Sequence, residues 1–288
     1  MVTSKGEIVS LDKAKISSLK TIGGVEIVLA SDLPEWGMSI AIYGPPGVGK
    51  TTFCAQAIDS PYGAPVLDLD AEGGARSIAH TNVEIVTVDS WAKIRRVASS
   101  LTALSKPDIP WKSIIIDNMS EYQSISIKSI AGPGNAPQLQ HWGQSTSDLL
   151  KLTRDLRDWG RDNQVNIFFI AWESPEKDES TGIIKHDVGF TPSLARQFPG
   201  IVDIVGYLSV TSGDTRSLTF APSRTTASKF RRSLTEAARR MPLTFSYKLE
   251  DKPVVDILNT LRGGGEWPTE KYARRQPVSE PTQATGNN

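Results

Sequence analysis

The sequence predicts an α/β fold: a mostly parallel sheet with helices on both faces. Three observations lead there. Short, continuous apolar runs recur along the chain, as in strands buried on both sides. Stretches with helical apolar spacing separate them. Late in the chain, two β-rich runs flank a Thr-Ser-Gly-Asp-Thr turn, which adds an antiparallel hairpin to the sheet.

Taken in order, residues 1–38 mix short apolar pieces with turns and form an N-terminal extension, with "VEIVLA" (25–30) as an edge strand. "SIAIY" (39–43) is a buried strand that feeds a glycine- and proline-rich loop and then a helix. "PVLDLD" (65–70) and "VEIVTV" (83–88) are the next strands. Residues 90–104 are helical, with Trp91, Ile94, Val97, Leu101 and Leu104 on one side. "WKSIIID" (111–117) is a strand, 147–163 a helix with Leu149, Leu152, Leu156 and Trp159 on one face, and "VNIFFIAW" (165–172) a strand. Residues 201–210 and 216–222 make the hairpin. Glycine, proline and polar residues dominate from Gly263, so 263–288 reads as a flexible tail and 39–262 as one large domain.

Composition excludes several classes. Lysine plus arginine equals aspartate plus glutamate, 32 of each, so the chain is not a globally basic nucleic-acid binder. Cys54 is the single cysteine, which excludes an internal disulfide framework and suits a reducing cytoplasm. No apolar run reaches the ~18 residues of a membrane span, and the first residues lack a signal-peptide core. His80 and His186 have no zinc-ligand spacing around them.

The chemistry begins at Gly44-x-x-x-x-Gly49-Lys50-Thr51. Residues Gly44, Pro45, Pro46, Gly47, Val48, Gly49, Lys50, Thr51 and Thr52 stand between a strand and a helix, as a phosphate-binding loop requires. The glycines let backbone N–H groups converge on phosphate oxygens. Lys50 supplies a charge for the β- and γ-phosphates of ATP, and the Thr51 hydroxyl can hold Mg²⁺. Asp117, emerging at the end of "SIIID", is the candidate metal acid; its other reading is the N-cap of the next helix. In "LDLDAEGG", Asp68 and Asp70 share a strand face. Glu72 follows the strand end and reads either as the base for the attacking water or as a surface-turn residue.

This order of segments resembles the RecA-type ATPase core: a phosphate loop, a strand ending Asp70-Ala71-Glu72, then an apolar strand ending Asp117. The resemblance covers roughly residues 39–240. It extends to phage-encoded RecA-core ATPases of single-strand annealing and recombination through "GFTPSLARQFPGIVDIVGYL" and "ASKFRRSL". It implies ATP and Mg²⁺ as cofactors, Glu72 and Lys50 as catalytic residues, and Thr51 and Asp117 at the metal. It also implies a homo-oligomer with ATP between subunits, single-stranded DNA as partner, a single-strand-binding protein as a further partner class, and the host cytoplasm as location if phage-encoded. Two DNA loops are expected at 131–143 and 174–200. The sequence departs from the family where "AWES" puts Trp172 or Glu173 at the place of its γ-phosphate-sensing glutamine.

The DNA groove would draw on Trp142 for stacking and on Lys185, Arg196, Lys229, Arg231 and Arg232 for charge. The basic run at 228–240 also reads as a solvated helix face, and Lys229 or Arg231 as a group reaching a neighbour's γ-phosphate. Competing functions are a helicase or helicase-loader motor, a nucleotide-gated scaffold without turnover, and a small-molecule kinase. Against the last, residues 174–200 carry a single arginine, Arg196.

Overall fold

The computed structural model describes residues 21–29, 36–231 and 236–273. The chain divides into two compact units, 1–35 and 36–288. In the first, β1 (Thr21–Ile22) pairs antiparallel with β2 (Val25–Glu26), and Gly23 and Gly24 turn the chain at positive φ. Of the strand expected over 25–30, Val25–Glu26 is the part that pairs, with β1, and Ala30 lies outside the described residues.

The second unit opens with β3 (Ser39–Gly44), α1 (Lys50–Ala55), β4 (Val66–Asp70), β5 (Glu84–Thr87), α2 (Trp91–Thr102), β6 (Ser113–Asp117), α3 (Met119–Ala131) and α4 (Leu139–Asn163). It continues with β7 (Asn166–Lys177), β8 (Ile184–Val188), α5 (Pro192–Ile201), β9 (Ile204–Ser212), β10 (Thr215–Thr219) and β11 (Lys229–Phe230). Last come α6 (Glu236–Arg240), β12 (Thr244–Tyr247), α7 (Pro253–Arg262) and α8 (Thr269–Ala273).

The sheet order is β12-β10-β9-β3-β7-β6-β4-β5. From β9 to β5 the pairs are parallel, while β9-β10 and β10-β12 are antiparallel. The expected α/β P-loop fold with its late hairpin is therefore present. Continuous apolar strands are needed because both faces are covered. Ile40 and Ile42 join a core with Phe53 of α1 and Ile257 of α7, whereas Ala41 and Tyr43 face Trp91, Leu149 and Phe198 from α2, α4 and α5.

Three expectations change. The helix expected from residue 147 starts at Leu139, so the first candidate DNA loop shrinks to 132–138 and Trp142 is helical. His141 is the reason: its Nδ1 accepts from the Gln138 N–H at 3.1 Å, tying down the first turn. The second candidate loop is a β7–β8 hairpin followed by α5. Asp178 closes the hairpin's turn, its carboxylate accepting from the N–H groups of Ser180 and Thr181, with Gly182 at φ 70°. Finally, the chain does not leave the domain at Gly263. Trp267 and Tyr272 stack at 4.8 Å and bury themselves in the core against Phe245. Two aromatics supply enough apolar surface to hold a segment whose average composition is polar. Residues 274–288 lie outside the described residues.

Candidate nucleotide site

The phosphate loop leaves β3 at Gly44. A Cβ there would stand 2.1 Å from the Leu208 carbonyl oxygen, so only glycine lets β3 pass so close to β9. Gly47 (φ 74°) and Gly49 (φ 96°) adopt the left-handed backbone that folds the loop back on itself. Buried Val48 anchors it from below. The Lys50 ammonium donates to the carbonyls of Gly44 at 2.9 Å and Pro45 at 2.8 Å. Burial pulls the Lys50 pKa down, while the charges of Asp117, Glu72 and Glu173 oppose that.

Asp117 ends β6 at the same edge of the sheet. The Thr51 hydroxyl donates to its carboxylate at 2.5 Å. Asn118, not Asp117, caps α3, accepting from the Glu121 N–H at 2.7 Å. Burial pushes the Asp117 pKa up to about 6; the Thr51 hydrogen bond opposes this, the charges of Asp70 and Glu72 add to it, and Lys50 counters. A Cβ on Gly74 would lie 3.3 Å from the Asp117 carboxylate and 3.4 Å from the Thr51 hydroxyl, so Gly74 walls the pair closely. An adjacent hydroxyl and underbalanced carboxylate are the hard oxygen donors Mg²⁺ takes when phosphates and water complete its shell. The pair therefore fits the expected ion. Among the described residues no cluster of three or more His, Cys, Asp or Glu forms a self-sufficient metal cage.

Sequence reasoning missed what Asp70 does. Its carboxylate accepts from four backbone N–H groups: Glu72 at 3.0 Å, Gly73 at 2.7 Å, Gly74 at 3.2 Å and Ala75 at 3.2 Å. An aspartate followed by two glycines was the available signal for such a turn. This turn aims Glu72 back across the edge. The Asn118 side-chain amide donates to the Glu72 carboxylate, and the Trp172 side chain hydrogen-bonds it as well. Burial raises the Glu72 pKa, and Lys50 opposes the rise. Trp172, at the expected sensor place, thus addresses Glu72. Its strand neighbour Glu173 turns away, to His186 Nδ1 at 2.8 Å and the Tyr207 hydroxyl at 2.9 Å.

Beside α1 lies a cavity of about 750 Å³, lined by Thr52, Gln56, Ile78, His80, Asn82 and Leu249 among others. It begins where the phosphate loop ends. The sequence carried no motif for it, because its walls come from three separated segments.

Asp68 sits on the same face of β4 as Asp70 but one residue pair deeper. Among the described residues neither carboxylate oxygen has a hydrogen-bond partner, and burial, reinforced by Asp117 and Asp70, raises its pKa from 3.8 to about 8. Below pH 3.8 the acid is neutral in both folded and unfolded chains. From there to about 8 the unfolded chain ionises first, so this group's contribution to stability falls as pH rises. Asp68→Asn should therefore gain stability relative to wild type as pH rises, by about 4 kcal/mol at pH 7 at the usual 1.36 kcal/mol per pKa unit. Denaturant titrations at several pH values check this. A difference independent of pH would mean that Asp68 is not held neutral.

The proposed DNA residues do not converge. Lys229 donates to the carbonyls of Pro199, Gly200 and Val202 at 2.9, 3.4 and 2.7 Å, where α5 ends. Its ammonium is engaged as a helix cap, which argues against a finger or a DNA contact. Arg231 pairs with Asp203 at 3.1 Å, and Asp203 accepts from the Ser39 hydroxyl at 2.6 Å. Ser39 starts β3 and Gly44 ends it, about 16 Å apart at 3.3 Å per residue. Lys229 and Arg231 therefore stand at the edge of the sheet opposite the nucleotide site, because β11 pairs with the first residues of β9. Arg232 lies outside the described residues. Trp142 and Arg196 are exposed, and Lys185 is half exposed while paired with Asp187 at 2.8 Å.

No helix among the described residues is long and apolar enough to cross a membrane. No curated protein matches the chain. Among solved structures, a crystal structure of the RadB recombinase matches with a TM-score of 0.46 and 15% identity, covering 74% of this chain and 88% of that one. The family model described as an AAA domain (AAA_24) matches residues 37–232, a span that contains the phosphate loop, Glu72 and Asp117, and the chain belongs to that family.

Proposed function

We propose that the protein is a Mg²⁺-dependent ATPase whose turnover responds to single-stranded DNA, acting in homologous recombination or single-strand annealing of the phage-encoded type. One observation supports the ATPase reading above the rest: Lys50, Thr51, Glu72 and Asp117, delivered by three different strand ends, face one another at one edge of the sheet. In this reading Lys50 pairs with the γ-phosphate. Thr51 and Asp117 would hold Mg²⁺, which neutralises phosphate charge when bound. Glu72 takes a proton from water as the water oxygen bonds to the γ-phosphorus and the bond to the β–γ bridging oxygen breaks. Asn118 and Trp172 hold the Glu72 carboxylate in place.

The DNA reading rests on the carboxyl-edge surface rather than on residues 229–232. Lys185 and Arg224 line one groove of the β7–β8 hairpin, beside Glu176 and Asp178, and Trp142 and Arg196 add exposed groups. A homo-oligomer with ATP between subunits and a single-strand-binding partner complete the proposal. Fluorescence anisotropy with a labelled oligonucleotide, at several salt concentrations with and without ATP, tests the DNA part. Binding should fall steeply with salt, since phosphate contacts release counterions, and should weaken in Lys185→Ala/Arg224→Ala. ATP hydrolysis that is steady with and without DNA, together with no oligonucleotide binding, would leave an ATPase with another partner.

A further inference from the structure

We propose that Arg216 is a nucleotide-binding residue whose guanidinium contacts the phosphates at the nucleoside end of the polyphosphate, the α- and β-phosphates. The proposal deepens the nucleotide-binding reading above and rests on it.

Arg216 comes from β10, two strands away from β3, and nothing in its local sequence marks it. Its Nε donates to the Val48 carbonyl at 2.8 Å, and its Nη1 donates to the Asp214 carbonyl at 2.9 Å. The guanidinium lies against the last residues of the loop before Lys50: a Cβ on Gly49 would stand 3.4 Å from Arg216 Nε. Among the described residues Nη2 makes no hydrogen bond, and no carboxylate pairs with the guanidinium. Backbone carbonyls thus fix the side chain without neutralising its charge. A guanidinium held in this way presents a pre-organised donor suited to phosphate.

The surroundings say which phosphates it meets. Leu249 flanks the same point over Gly49, at 3.5 Å, and also lines the cavity beside α1. Loop and cavity therefore share a wall. A nucleotide with its terminal phosphates at Lys50 and Thr51, and its base in that cavity, runs its inner phosphates past Gly49 and Thr52. That path lies beside Arg216. The γ-phosphate end, by contrast, faces Glu72 and Asp117.

Titrations with fluorescent N-methylanthraniloyl ATP and ADP test this, using the full chain and three variants. Arg216→Ala should weaken both nucleotides alike by about tenfold or more, the scale of a charged hydrogen bond. Arg216→Gln, which keeps donors for the Val48 carbonyl but loses the charge, should be equally weak while melting at the wild-type temperature. Arg216→Lys should recover part of the affinity. Full affinity in Arg216→Gln would reduce Arg216 to a support for the loop backbone and overturn the proposal, as would unchanged affinity in Arg216→Ala. Wild-type protein that binds neither nucleotide would overturn the nucleotide reading itself.

Discussion

Glu72→Gln is expected to bind ATP with near-native affinity and to hydrolyse it at least about a hundredfold more slowly, the usual scale for losing a general base. The substitution preserves shape. A glutamine carbonyl can still accept from the Asn118 amide, so the turn built on Asp70 should persist. What is lost is the carboxylate whose pKa burial has raised, and with it the proton acceptor. Single-turnover hydrolysis beside equilibrium nucleotide binding separates the two effects. The structure makes the test sharp, because Glu173, the glutamate at the end of the neighbouring apolar strand, is engaged by His186 and Tyr207. Native turnover in Glu72→Gln would remove Glu72 from the chemistry. Wild-type protein that binds ATP but never turns it over would favour the nucleotide-gated scaffold.

Lys50→Ala is expected to abolish measurable hydrolysis and to weaken ATP binding by at least tenfold, as the loss of a charged contact to phosphate should. The charges of Asp117, Glu72 and Glu173 each favour the protonated form of the ammonium. Removing it leaves the carboxylates facing one another, so the variant should bind Mg²⁺–ATP more weakly than either Glu72→Gln or Asp117→Asn. Asp117→Asn differs in kind: it should lower binding chiefly in the presence of Mg²⁺, because it removes a metal ligand rather than a phosphate contact. Parallel titrations with and without Mg²⁺ distinguish them. A Lys50→Ala protein with normal turnover would take the phosphate loop out of the mechanism.

Much of this site was legible in the chain. The phosphate loop, the acid at the end of "SIIID" and the glutamate after "LDLD" are all set by residues close in sequence, since each needs one strand and the turn that follows it. The strands themselves were legible because a sheet covered on both faces demands unbroken apolar runs. Boundaries were less so. A helix's first turn depends on a cap, and the His141–Gln138 contact that starts α4 has no apolar period to betray it.

The sequence by itself thus determined the fold class, the phosphate loop and the two carboxyl-edge acids that accompany it, Glu72 and Asp117. Tertiary structure alone decided where distant charges go. Lys229 and Arg231 look like a nucleic-acid patch in one dimension, yet the pairing of β11 with the start of β9 carries them to the far edge, where helix carbonyls and Asp203 engage them. Arg216 looks like one more surface arginine on a hairpin, yet the order β10-β9-β3 brings it onto the phosphate loop. The physical reason is common to both. Local spacing specifies which face of a strand a residue occupies, but strand order and register, which depend on contacts far apart in sequence, specify what that face meets.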